Sequence, residues 1–203
     1  DYKYDWGNFS TTTFTSQTRG HVKNFGLYAN IGYTLNDHQL FSMHARNDDH
    51  KQTGGSQTYK YSFVQKLNKA KIILTHSTGL KNPSLYELYG SSSLGHSGNT
   101  GINPEKSETN EIFGQFNFSE NLVFSSTAYR TRMKDRIKLN GSWSAYENKI
   151  LDTSQEGLEN ELSYKFSGQK ISLMSNFSKS RTDTNGPNSR RPDLTYGLDY
   201  LGK

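Results

Sequence analysis

Two neighbouring guanidinium side chains, Arg190 and Arg191, stand where a long polar stretch re-enters an alternating segment at 192–201. A guanidinium is a rigid fork of donors, so such a pair suits an anionic or amide-rich ligand. The competing role is an ion pair with a carboxylate on an internal wall, the common fate of charges that face a lumen. Tyr86, Tyr89 and Tyr146 offer flat rings for stacking or for anchoring at an interface. Tyr89 joins the two arginines as the candidate ligand-binding set. Metal chemistry has weaker support. His44, His50, His76 and His96 are far apart and lack the short spacings that build a zinc site. Asp48 and Asp49 beside His50 are too few carboxylates for calcium and read as a solvated loop apex. The glycines of "GHSGNTG" (95–101) lack the following helix and Lys-Ser/Thr pair of a phosphate loop. Nothing orients Ser, His and Asp as a triad, and no nucleophile elbow is present. No catalytic residue, metal or cofactor is assigned.

The elements that must position these groups follow from composition and period. Of 203 residues only 31% are hydrophobic, too few for an ordinary buried interior. Disorder is nevertheless excluded, because 13% are aromatic and the apolar residues recur regularly. The formal charge is +5, but the signs are interspersed and no basic run marks a nucleic-acid surface. The absence of cysteine excludes a disulfide scaffold. No run of 18 apolar residues forms a membrane helix, and no signal peptide is visible. The chain starts and stops within apparent strands, so it is expected to be an interior piece of a longer protein.

Alternation of period two dominates and predicts strands near 2–10, 23–34, 39–47, 58–66, 70–77, 108–118, 121–132, 145–166 with an interruption, 170–180 and 192–201. Phe25, Leu27, Ala29, Ile31 and Tyr33 share one side of the second strand. Ile112, Gly114, Phe116 and Phe118 oppose Glu111, Phe113, Gln115 and Asn117. Leu158, Leu162, Tyr164 and Phe166 oppose Glu159, Glu161, Ser163 and Lys165. The strand at 121–132 carries Val123, Phe124, Ala128 and Tyr129 on both sides. Short turns at 36–38, 68–69, 119–121 and 167–169 alternate with longer polar loops at 11–22, 48–57, 78–107, 133–145 and 181–191. A membrane barrel sorts its connections in this way, short at one end and long at the other. It also explains the composition, since the apolar side faces lipid, the polar side faces a wet lumen, and the backbone pairs fully. Phe25, Tyr33, Phe118, Tyr164 and Phe166 near strand ends fit interfacial girdles. The fold class is therefore all-β: an antiparallel transmembrane β-barrel segment of about ten strands, part of a larger barrel.

The stretch "HSTGLKNPSLYELYGSSSLGHSGNTGINPEKSETNEIFG" resembles TonB-dependent outer-membrane receptors. Gly79, Leu80, Lys81, Pro83, Leu85, Leu88 and Tyr89 match one family segment, with Leu80 where an aromatic is usual. Asn103, Pro104, Glu105, Lys106, Ser107 and Glu111 match a shortened second one. "YRTRMKDRIKL", "SQEGLENELSYKF" and "RRPDLTYGLDY" are similar to later family strands. Their order and spacing, with the "ARNDDHKQTGGSQTYKYSF" loop and strand, look closest to cobalamin-transporting members. The resemblance implies residues 1–203 are part of a barrel of about 22 strands around a plug domain that this chain lacks. It further implies outer-membrane localisation, a small-molecule ligand caught by loops and plug, and active import. The cargo would be cobalamin, or alternatively a ferric siderophore or heme. TonB with inner-membrane ExbB and ExbD would supply the energy, and the lipid bilayer would surround the wall. Competing readings are an outer-membrane barrel enzyme and a secreted β-rich adhesin.

Overall fold

The computed structural model describes residues 3–4, 7–10, 15–18, 23–91, 95–182 and 194–201. The chain forms β1 (Lys3–Tyr4), β2 (Gly7–Ser10), β3 (Thr15–Thr18), β4 (Lys23–Asn36), β5 (Gln39–His50), β6 (Gly54–Lys66) and β7 (Ala70–Lys81). A short helix α1 (Leu85–Tyr89) is followed by β8 (Gly90–Ser91), β9 (His96–Ser97), β10 (Glu105–Asn117) and β11 (Leu122–Lys134). The remainder is β12 (Ile137–Leu139), β13 (Tyr146–Asn148), β14 (Thr153–Phe166), β15 (Gln169–Thr182) and β16 (Leu194–Leu201). Ten of these strands make one antiparallel sheet in the order β1-β4-β5-β6-β7-β10-β11-β14-β15-β16. Three small hairpins, β2-β3, β8-β9 and β12-β13, stand apart from it.

The register explains why alternation is so regular. One cross-strand row runs Tyr33, Phe41, Phe63, Leu74, Ile112, Ala128, Leu158, Phe177 and Leu194. The adjacent row on the opposite face runs Gly32, Ser42, Ser62, Thr75, Glu111, Tyr129, Gly157 and Ser178. The first face is greasy and open. Leu27 and Ile31 are 61% and 63% exposed, and Leu173 is 55% exposed, values incompatible with a packed core. Among the described residues the buried hydrophobics are Leu85, Leu88 and Ile102, all outside the sheet. The apolar face thus has no protein cover and suits hydrocarbon. Polar groups on this face pair with each other. Ser126 Oγ donates to Asn160 Oδ1 at 2.8 Å, and Asn160 Nδ2 donates to Ser175 Oγ at 3.3 Å, which spares lipid-facing polar groups a bare desolvation penalty. The strand at 122–134 is resolved in favour of Phe124 and Ala128 outward, with Val123 and Tyr129 inward.

Tight turns close one end of the sheet. Ser167 (φ 45°) and Gly168 (φ 79°) make a two-residue turn between the partners Phe166 and Gln169. Ser119 Oγ accepts from the backbone N–H groups of Asn121 and Leu122. Phe118, whose ring lies 4.8 Å from that of Phe116 one step further in, and Tyr164 and Phe166, 5.9 Å apart, mark this end as an aromatic girdle.

The opposite end departs from the sequence expectations. The supposed loop at 48–57 is a turn of only Lys51-Gln52-Thr53, because β5 and β6 extend to His50 and Gly54. Gly54 takes φ 80°, which lets the chain reverse at once. Asp48 and His50 are accordingly not a solvated apex but buried strand residues, 8% and 3% exposed. Their polarity resembles a loop because this face of the sheet is polar along its whole length. The expected strand at 2–10 divides into β1, which pairs with β4, and β2, which pairs with β3. The interrupted region from 145 divides into β13 and β14, and the loop at 133–145 contributes β12, which pairs with β13. The stretch 78–107 holds a helix that strand periodicity did not reveal.

Candidate ligand site at the long-loop rim

The loop between β7 and β10 is shaped by a short code. Ser84 and Glu87 form a capping box: Ser84 Oγ accepts from Glu87 N at 3.3 Å, and Ser84 N donates to Glu87 Oε2 at 2.7 Å. Pro83 lacks an N–H and directly precedes the cap. Leu85 and Leu88 pack beneath the helix as the small buried cluster. Gly90 ends it at φ 65°. A Cβ on Gly90 would strike the backbone of His96 and Gly98, and one on Gly98 would strike Leu88 and Tyr89. Backbone thus stacks directly on backbone, fastened by Asn99 N donating to Glu87 O at 3.1 Å. The pattern Ser-x-x-Glu before Leu88 is the sequence signal that would have located α1.

This loop is tied to the one between β11 and β14. Ser97 N donates to Ser144 O at 2.7 Å, and Asn99 Nδ2 donates to Tyr146 O at 2.9 Å. Asn148 makes the closest bracket: its Nδ2 donates to Asn103 O (2.9 Å) and Asp135 O (2.6 Å), while its Oδ1 accepts from Asn103 N (2.7 Å). Asn148→Ala should therefore cost the loop pair about 1–3 kcal/mol, since three backbone groups lose their partner. Hydrogen exchange should quicken at 97–103 and 135–148 while the sheet amides stay protected. Uniform loss of protection would show that the loops and sheet open as one.

Aromatic groups collect on this knot. The Tyr86 ring lies 5.9 Å from Tyr146, edge-on, and 5.9 Å from His96. Burial, and then the neighbouring Tyr146, push the Tyr86 hydroxyl above its ordinary pKa, so it stays a neutral donor at physiological pH. Trp143 projects nearby in sequence, 72% exposed and held at φ 59°. Asn140 imposes that turn, its Oδ1 accepting from Ser144 N at 2.9 Å and Ala145 N at 3.3 Å. Ile150 is 97% exposed. Neither Trp143 nor Ile150 stood out in the sequence, although Asn140-Gly141 marks a turn that would display Trp143.

Tyr89 faces a different neighbour. It is 38% exposed, and its hydroxyl accepts from Gln52 Nε2 at 3.1 Å. Gln52 belongs to the β5–β6 turn, which is also joined to the long loop by Thr53 Oγ1 donating to Asn82 Oδ1 at 3.2 Å. Beneath that turn Thr53 N donates to His50 Nδ1 at 3.2 Å. Further along β5, Arg46 grips Asp48 with two bonds of 2.6 and 2.7 Å. Gly26 makes room for that pair, because a Cβ there would collide with both. Of the three tyrosines considered, the structure brings Tyr86 and Tyr146 together and leaves Tyr89 on the turn. Arg190 and Arg191 lie outside the described residues. The four histidines are not convergent, and among the described residues no three His, Asp or Glu side chains gather as a metal site. His44 instead contacts Asn30 at 2.7 Å and His76 contacts Asn110 at 2.8 Å.

An open arc of antiparallel strands, greasy on one face and wet on the other, with interlocked loops at one end, defines a wall segment of a transmembrane β-barrel. The beta-barrel model of the TonB dependent receptor-like family matches residues 1–203, and the chain belongs to that family. Barrels of this family sit in the outer membrane of Gram-negative bacteria. No curated protein matches the sequence. Among solved structures, the siderophore receptor PirA from Pseudomonas aeruginosa is similar at TM-score 0.73 and 20% identity, over 79% of this chain and 32% of that one. The ferripyoverdine receptor of the outer membrane of Pseudomonas aeruginosa, bound to ferripyoverdine, gives 0.71 and 15%, over 89% and 26%. The copper transporter OprC gives 0.67 and 16%, over 91% and 32%. The chain spans about a third or less of each neighbour's length, and at such identities the likeness is one of fold.

Proposed function

We propose that this chain is a wall segment of an outer-membrane active transporter that takes up a large, scarce, metal-bearing nutrient. The observation that carries the reading is the rim: two long loops locked together through backbone bonds, displaying Tyr86, Tyr146 and exposed Trp143 on a wall whose inner face is polar. Rings of this kind give a bulky cargo contact area at low entropic cost. The inner face, with Arg46, Asp48 and the Lys170–Glu161 pair at 2.9 Å, suits a polar plug filling the lumen. On this reading the barrel does no covalent chemistry, and TonB, driven by ExbB and ExbD, pulls the plug. Arg190 and Arg191 remain candidates for cargo contact beside Tyr89.

Two cargoes fit. A ferric siderophore is supported by the structural neighbours, which include siderophore receptors. Cobalamin is supported by the order of the segments along the chain. Titrating the intact receptor with ferric chelates and with cyanocobalamin separates them. Tight binding of a ferric chelate alone supports the first and removes the second, and the converse result reverses the choice. Binding of neither by a receptor that carries its plug overturns both.

A further inference from the structure

The greasy face ends abruptly on β10 and β11. From the short-turn end outward-facing residues run Phe116, Gly114, Ile112 on β10 and Phe124, Ser126, Ala128 on β11. Beyond them the same face turns ionic, with Arg130 paired to Glu156 at 3.4 Å. At the far end Lys106 and Lys134 stand as direct cross-strand partners, with Arg132 opposite Glu108 one step below. Like charges placed directly opposite repel each other. Neither Lys106 nor Lys134 has an ion-pair partner among the described residues, and Arg132 reaches Asp152 only at 4.0 Å. The three cations and Glu108 line a cleft of about 630 Å³. The stacked cluster of Tyr59, Tyr61 and His76 lies on the same face of the neighbouring strands β6 and β7. Aromatic rings of this kind mark the level where hydrocarbon gives way to headgroups.

We propose that this outward cleft binds the phosphates of a membrane glycolipid headgroup, seated by Lys106, Lys134 and Arg132 while its acyl chains lie along the apolar face below. Three observations support it independently of the cargo: an unneutralised like-charge pair, a cleft lined by it, and continuity with the lipid-facing surface. A phosphate between Lys106 and Lys134 turns their repulsion into shared attraction. Glu108 opposes the anion, so the site needs a doubly charged group rather than a carboxylate. The proposal rests on the membrane placement of the wall and not on what is transported.

The test uses the intact transporter in detergent, titrated with diphosphoryl lipid A, with the same glycolipid stripped of phosphate, and with inorganic phosphate. Wild type should bind the diphosphoryl lipid roughly thirtyfold more tightly than Lys106→Gln/Lys134→Gln, from two surface lysines, and less tightly as salt rises. The stripped lipid should bind both proteins at the weak level, and lumen-facing Lys60→Gln should bind like wild type. Equal affinity of the double variant, tight binding of the stripped lipid, or competition by inorganic phosphate at matching concentration would each overturn the proposal. In lipid-free detergent Lys134→Gln should be no less stable than wild type, because it relieves repulsion. A loss of stability there would assign the lysines a purely structural role. Cargo titrations on the same samples report separately on the transport reading.

Discussion

Placing Arg at Phe116 or Leu162 should lower the unfolding free energy of the membrane-inserted barrel by about 2–4 kcal/mol, the cost of a guanidinium near the bilayer midplane. Both residues project from the greasy face, 41% and 39% exposed, and each is a direct cross-strand partner of Phe124. They stand between the row of Ser126 and Asn160 and the girdle rings Phe118 and Tyr164, on the hydrocarbon side of that girdle. Gln115→Arg and Ser163→Arg sit on adjacent positions of the same strands but face the polar side, and should change stability much less. Urea unfolding in lipid vesicles, followed by tryptophan fluorescence, measures all four. Equal sensitivity on the two faces would mean that the apolar side chains do not meet lipid, and the membrane assignment would fail with it.

Gly98→Val should leave that stability unchanged yet weaken cargo binding by about tenfold. The added side chain meets backbone of Leu88 and Tyr89 rather than a yielding side-chain tip. Relief requires prising α1 from the strand pair beneath it, and overpacking of this kind costs about 1–3 kcal/mol. About 1.4 kcal/mol is already a tenfold change in binding. The expected signature is split: rapid proteolysis within 82–104 and a lowered affinity, with normal unfolding of the sheet. Gly90→Ala, at a left-handed φ of 65° with His96 and Gly98 backbone in the way, should act in the same direction. Normal affinity in both variants would show that the helix-bearing loop takes no part in capture.

The strands were legible because a lipid-spanning sheet writes a simple pattern. Phe25, Leu27, Ile31 and Tyr33 had to share a side, and the register confirms the side for each strand in turn. The ambiguity at 122–134 had a local cause. Tyr129 faces inward because Gly157 directly opposite leaves space for its ring, a cross-strand fact invisible in the Tyr129 segment alone. Polar strand ends were harder. Asp48 and His50 looked like loop, since nothing in one strand's composition says that Arg46, Asn24 and Thr53 will surround them. The candidate site was least legible. Tyr86 and Tyr146 are brought together by Asn99, Ser97 and Asn148 bonding to backbone atoms, and such bonds leave no periodic trace. The resemblance to TonB-dependent receptors named the right family, while the separate surroundings of Tyr89 beside Gln52 and of Tyr86 beside Tyr146 depend on loop contacts that the sequence does not display.

The fastening between the two long loops runs mostly through peptide carbonyls and amides, with a few asparagine carboxamides as rivets. Main-chain atoms are the same whatever residue bears them. The outermost tips can therefore change their chemistry freely while the scaffold beneath holds its shape. Variation among natural versions of this protein should fall on exposed positions such as Gly141, Ser142 and Ile150 and spare Asn99, Asn140 and Asn148.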